Sequence, residues 1–240
     1  MAGPSNASPC LIEDVARAIS APMAIQVKIC GVTTPEAADA ALAAGADFAG
    51  LVFFPASPRF VAPDQAVSLA ARLRGRTRIV ALLADAKDDA IASAIAAARP
   101  DFLQLHGQET PERVGEIRMK FAKPVIKVIP VAETGDLASA ARYDTEMFLF
   151  DAKAPASASR PGGHGAAFDW QLLRGRNFGR PWLLAGGLNA ENVARAIQSA
   201  DAPGVDVSSG VEERPGVKSP EMIRAFVSAA RNSHYASAAP

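Results

Sequence analysis

The feature that most constrains this chain is a unit repeated along it: a short apolar, β-branched run, a polar turn, then an Ala/Leu-rich segment with helical spacing. From residue 25 the apolar runs are IQVKIC, FAGLVFF, RIVALLA, FLQLHG, VIKVIPV, MFLFDAK, PWLLAGG and GVDVSSG, eight in all. Between them lie the helix candidates TPEAADAALAAG, APDQAVSLAARLRG, DDAIASAIAAARP, TPERVGEIRMKF and NAENVARAIQSA, and SPEMIRAFVSAARN follows the last run. Nearly continuous apolar strands suit a parallel sheet buried on both faces, and parallel strands need crossovers, which these helices supply. Eight units predict an α/β fold, the (β/α)8 TIM barrel, with a doubly wound open sheet as the alternative.

The rest of the chain fits one such domain. The 49% hydrophobic content is enough for a single large core in 240 residues. The organisation predicted is an N-terminal extension over 1–24, a barrel over 25–232 and a C-terminal tail over 233–240. Within the extension, Leu11, Ile12, Val15 and Ile19 could line one face of a short helix. Met23 offers an alternative start. Twenty-five basic and 25 acidic residues leave no excess charge to favour nucleic acid or an anionic membrane. Cys10 and Cys30 make no disulfide framework, the first residues lack a secretory pattern, and no apolar run approaches the roughly 20 residues of a membrane-spanning helix. A cytoplasmic location is expected. Thr34, Thr110 and Ser219 each place a hydroxyl ahead of a proline, which predicts three capped helix starts.

In a barrel of this type the reacting groups stand on the C-terminal ends of the strands. Period-two alternation turns both Lys28 and Cys30 inward on the first strand, and a nearby ammonium favours thiolate. Asp151 ends the apolar run MFLFD. Its carboxylate must be paired, for which Lys153 or Lys127 are the neighbours, bound to metal, or kept protonated as a proton donor. The small-residue loops AGGLN and SSG follow the last two strands, where Gly186, Gly187 and Gly210 let a phosphate approach the backbone and Ser208 and Ser209 add hydroxyls. Arg59, in the PASPRF loop fixed by Pro55 and Pro58, is either a solvated charge or a two-pronged grip on a carboxylate. Lys28, His106 and Asp206 complete the mouth as substrate-contacting candidates, with a core ion pair as the other reading of Asp206. His106, His164 and His234 are scattered, and no metal site is expected.

These residues together resemble a known family. KICGVTTPEAADAALAAGADFAGLVFFPASPRFV, FLQLHGQE, FLFDAK…GGHGAAFDW, LAGGLNAENV and VDVSSGVEERPGVKSP, in order from about residue 25 to 232, look like phosphoribosylanthranilate isomerase, an enzyme of tryptophan biosynthesis. The resemblance implies an Amadori rearrangement of an aminoaldose to an aminoketose. It makes Asp151 the general acid that opens the ribose ring and Cys30 the general base at C2. Arg59 then holds the anthranilate carboxylate, the Gly187, Ser209 and Gly210 region holds the phosphate, and no cofactor is required. The partner is a small phosphorylated aminoaldose, and the chain is expected to be a monomer or weak homodimer. One departure stands out: where the family commonly reads GKTFDW, this chain has Gly165, Ala166, Ala167, Phe168, Asp169 and Trp170, so lysine or threonine side-chain contacts are missing there. Two rivals remain: another phosphosugar barrel, such as a sugar-phosphate epimerase or a Schiff-base aldolase using Lys127 or Lys153, and a barrel that binds a phosphorylated ligand without turning it over. A second phosphate clamp opposite the first would count against the isomerase.

Overall fold

A computed structural model describes residues 24–154 and 167–233. The candidate helix at 11–19, Cys10, His164, Gly165, Ala166 and the tail beyond 233 lie outside the described residues. Eight parallel strands close into a barrel in sequence order: β1 Gln26–Cys30, β2 Phe48–Val52, β3 Arg78–Leu83, β4 Phe102–Leu105, β5 Val125–Val131, β6 Met147–Ala152, β7 Trp182–Leu184 and β8 Gly204–Val207. The closing pair is β1 with β8, where Lys28 stands opposite Asp206. The α-helices among the described residues are α1 Pro35–Ala43, α2 Pro63–Leu73, α3 Asp88–Ala98, α4 Pro111–Phe121, α5 Val193–Ala200 and α6 Pro220–Arg231.

Alternation sorts each strand into two faces. Inward residues Phe48, Val80, Ile126, Val128, Met147, Leu149, Leu183 and Ala185 fill the barrel, with Phe102 packed against them. Outward residues such as Val27, Ile29, Leu51, Ile79 and Val205 meet Leu69, Ile197, Ile223 and Phe226 of the helices in the larger core. Each such side chain contributes about 1.5–3 kcal/mol on full burial, so the two layers carry most of the fold. The helix α1 buries Ala37, Ala38, Ala40 and Ala41, small side chains that bring it close to the sheet.

A repeated device holds the N-terminal end of the barrel. Asp47, Asp101 and Glu146 each precede an even-numbered strand, and their carboxylates accept from the backbone N–H groups of Val27, Ile79 and Val125 at the starts of β1, β3 and β5, all at 2.7 Å. Each acid thus ties one strand to its neighbour at the first residues, which fixes register before the apolar run begins.

Several local expectations need correction. Thr34 and Thr110 do cap their helices, accepting from Ala37 and Arg113 N–H at 3.2 Å. Ser219 precedes α6 but makes no such bond. The alternation is also less regular than the repeat suggests: the β5–β6 crossover is a 3-10 helix over Thr134–Arg142, and a short one over Trp170–Leu173 precedes β7. After β8 the chain forms a two-stranded hairpin, β9 Glu212–Arg214 with β10 Val217–Lys218, turning at Pro215 and Gly216, a dipeptide type that marks tight turns. None of the described helices is long and apolar enough to cross a membrane.

Candidate active site

Cys30 ends β1 and is 96% buried, with 4% exposure. A glycine on the neighbouring strand makes room for it: a Cβ at Gly50 would lie 3.1 Å from Cys30 Sγ and 3.4 Å from Lys28 Nζ. Thiol and ammonium therefore flank the same point. The ammonium, however, is engaged, because Lys28 Nζ donates to Asp206 Oδ1 at 2.7 Å in a pair with no exposure on the lysine. Burial opposes the Lys28 charge, but Asp206 and then Cys30 outweigh it and hold its pKa above the usual lysine range. For Cys30 the balance goes the other way. Burial pushes the thiol up, Lys28 and Lys218 only partly offset this, and Asp206 adds to it. The expectation of a resting thiolate is corrected accordingly: burial, the largest influence on Cys30, disfavours its charged form, and the two lysines offset this only in part. Asp206 itself is the core ion-pair partner.

Of the two readings of Arg59, the solvated charge does not hold. It is buried at 4% exposure rather than solvated, and its fork already grips a carboxylate of the protein, with Nε to Glu212 Oε1 at 2.7 Å and Nη2 to Glu212 Oε2 at 2.8 Å. Glu212 also accepts from Lys218 Nζ at 2.7 Å. Two cations thus share one anion, leaving an unbalanced positive charge beside the mouth. Burial works against the Glu212 carboxylate, but Arg59 and Lys218 together hold its pKa below the usual range. Burial lowers that of Lys218. Sequence reasoning passed over Glu212 and Lys218, although both stand in the quoted VDVSSGVEERPGVKSP; only the hairpin folds them back under the β2 loop.

On the opposite wall, three steps around the closed order from β1 through β8 and β7, stands Asp151 on β6. Neither lysine pairs with it: Lys127 turns outward to Glu109 at 2.7 Å, and Lys153 goes to Asp136 at 3.2 Å. This leaves neither lysine free and inward, as a Schiff-base aldolase would need. Asp151 instead faces His106, with Nε2 to Oδ2 at 3.4 Å, while the amide of the following Ala152 donates to its Oδ1 at 2.8 Å. The other ring nitrogen of His106 lies 3.5 Å from Gln104 Nε2. Gln104 is fully buried and its Oε1 has no partner among the described residues.

The clamp loops come together as the spacing suggests. Gly186 and Gly187 take successive left-handed conformations, φ 91° and 64°, which side chains rarely adopt. Gly210 packs directly on the Leu188 carbonyl, leaving no space for a Cβ. Ser209 is half-buried beside it. Ser208 is a correction: its hydroxyl donates to the Cys30 carbonyl at 3.2 Å and its own carbonyl accepts from Lys218 at 2.9 Å, so it ties β8 to β1 rather than facing a ligand. No group of three or more His, Cys, Asp or Glu among the described residues is arranged to hold a metal ion.

An acid and a thiol on facing walls, with a glycine clamp at β7 and β8, are the equipment for proton transfer on a phosphorylated substrate. Comparison with known proteins identifies the family. The family N-(5'phosphoribosyl)anthranilate (PRA) isomerase matches residues 27–229. The chain belongs to the phosphoribosylanthranilate isomerase family. The curated N-(5'-phosphoribosyl)anthranilate isomerase of Rhodopseudomonas palustris (strain BisA53) is 53% identical over 211 residues, 87% of this chain and 97% of the relative. The crystal structure of phosphoribosyl anthranilate isomerase from Thermotoga maritima superposes with a TM-score of 0.79 at 35% identity, covering 87% of this chain and 99% of that one. A second isomerase structure, in complex with reduced 1-(o-carboxyphenylamino)-1-deoxyribulose 5-phosphate, gives 0.75 at 33% identity with 87% and 99% coverage. The activity is that of a phosphoribosylanthranilate isomerase in tryptophan biosynthesis.

Proposed function

We propose that this isomerase converts N-(5-phosphoribosyl)anthranilate to 1-(2-carboxyphenylamino)-1-deoxyribulose 5-phosphate with Asp151 as acid and Cys30 as base. The observation that carries the assignment is their placement on facing walls, β6 and β1, of one closed barrel mouth. Protonated Asp151 gives its proton to the ring oxygen; the C1–O bond breaks and the anilino nitrogen lone pair forms a cationic Schiff base. That cation, arriving beside Cys30, joins Lys28 and Lys218 in favouring thiolate, and the thiol releases its proton to solvent. A thiol held high by burial is a strong base once ionised. The thiolate removes the C2 proton, the C–H electrons form the C1–C2 double bond, and the resulting enolamine tautomerises to the ketone. Cys30 is left as the thiol, now carrying the C2 proton, and solvent returns the proton it released earlier to the Asp151 carboxylate, which resets the site.

Binding divides between the two sides of the mouth. The unbalanced positive charge of the Arg59–Glu212–Lys218 group attracts the anthranilate carboxylate, with Arg59 reaching it by the edge that Glu212 leaves free. The backbone of Gly186, Gly187, Ser209 and Gly210 takes the phosphate, and Lys28, Asp206 and His106 line the sugar. One chain supplies every one of these groups, so a monomer or weak homodimer suffices. The test follows loss of substrate fluorescence, with the labile substrate generated in situ, for wild type, Cys30→Ala and Asp151→Asn. Each variant should fall by about two or more powers of ten while remaining folded, the range for a removed acid or base. Full activity in either one removes that residue from its role.

A further inference from the structure

Lys127 and Glu109 form an ion pair with side-chain exposures of 2% and 3%. Lys127 faces out of the barrel, its neighbours Ile126 and Val128 being the inward ones, so the pair does not line the mouth. Burying two charges costs several kcal/mol each, and well-packed apolar residues would often serve stability equally well. The pair's hydrogen bonds suggest what else it does. Lys127 Nζ donates to the carbonyls of Leu105 at 3.3 Å and Gly107 at 2.9 Å, the residues on either side of His106. Glu109 Oε1 accepts from the Gly107 N–H at 3.1 Å and from the Asp85 N–H at 2.9 Å. The β3 loop is drawn in as well: Asp85 Oδ1 accepts from Gln108 N–H at 2.7 Å, and the His106 N–H donates to Leu83 at 2.8 Å. Tyr143 closes the back, its ring 5.6 Å from Lys127 Nζ and its hydroxyl donating to the Glu109 carbonyl at 3.1 Å.

We propose that Lys127 and Glu109 are positioning residues for the reaction: the pair clamps the backbone on both sides of His106 and so holds the imidazole against Asp151. Neither touches the substrate. Each acts through His106, and the inference rests on Asp151 being the acid. Misplacement of a catalytic group by about 1 Å can cost about a hundredfold in rate. A clamp with one anchor removed therefore appears in kcat rather than in KM.

The experiment is a double-mutant cycle in the fluorescence assay, with Lys127→Met and Glu109→Gln each made alone and combined with His106→Ala, and Asp151→Asn as reference. Glu109→Gln keeps an acceptor oxygen for the two N–H groups and guards against loss of folding in Lys127→Met; thermal unfolding confirms that each variant is native. Expected is a fall in kcat of about tenfold or more for each single variant with KM within about twofold, and doubles no slower than His106→Ala alone. Fold-losses that multiply in the doubles, or a wild-type kcat in folded Lys127→Met and Glu109→Gln, overturn the inference and leave the acid assignment standing. A wild-type kcat in Asp151→Asn overturns both.

Discussion

Replacing Lys28 by Met tests how the barrel closes. Lys28 and Asp206 are register partners on the first and last strands, 2.7 Å apart, with side-chain exposures of 0% and 9%. An exposed pair of this kind is worth about 0–1 kcal/mol. Removing one partner of a buried pair strands the other charge and costs about 3–5 kcal/mol, between two and four powers of ten in the folding equilibrium. Here the stranded charge is Asp206, on an apolar strand at the closing seam. Urea unfolding followed by circular dichroism should show the midpoint falling by at least about 1 M for a slope of 1–3 kcal/mol per molar. The double variant Lys28→Met/Asp206→Leu has no charge to strand and should recover most of that stability. It should still turn over poorly, because Cys30 has lost the nearest positive charge that favours its thiolate. A loss below about 1 kcal/mol in the single variant, or a double variant as unstable as the sum of both singles, would refute the reasoning.

Three further outcomes follow from the same cluster. Alkylation of Cys30 by iodoacetamide in the free protein should be slow at neutral pH and rise with a midpoint above 9.0, the ordinary thiol value, since burial raises it; Lys218→Met should move the midpoint higher still, and a midpoint near neutrality would mean a resting thiolate. Glu212, its pKa held below the ordinary 4.5, adds stability that is present above that value and lost as pH falls from it through the native one. Glu212→Gln should thus be less stable at pH 7 but lose less between pH 5 and 3, and urea midpoints that fall in parallel with wild type would contradict the shift. Gly50→Ala puts a methyl 3.1 Å from Cys30 Sγ, so kcat should drop severalfold for a small change in melting temperature, whereas unchanged kcat would show that the thiol has room to move.

Periodicity is a local property, so much of this protein was legible in its sequence. Eight apolar runs with helices between them fix the barrel, and alternation along each run decides that Lys28, Cys30, Asp151 and Asp206 face inward. The order of the strands sets β1 and β6 three apart, which suits facing walls, and the closure of the barrel is what brings them there. What the sequence leaves open is the partner of each charge, because partners lie far apart in the chain. Lys28 and Asp206 are 178 residues apart, and Arg59 and Glu212 are 153. Only the closure of β1 on β8 gives Lys28 its carboxylate partner, and only burial in the closed barrel raises the Cys30 thiol. Only the hairpin after β8 brings Glu212 under Arg59. Likewise, the ladder between β4 and β5 sets Lys127 behind His106 rather than in the mouth. The pattern of apolar residues chooses the walls, and the tertiary structure decides the protonation state within them, because a buried charge is governed by its nearest neighbours in space.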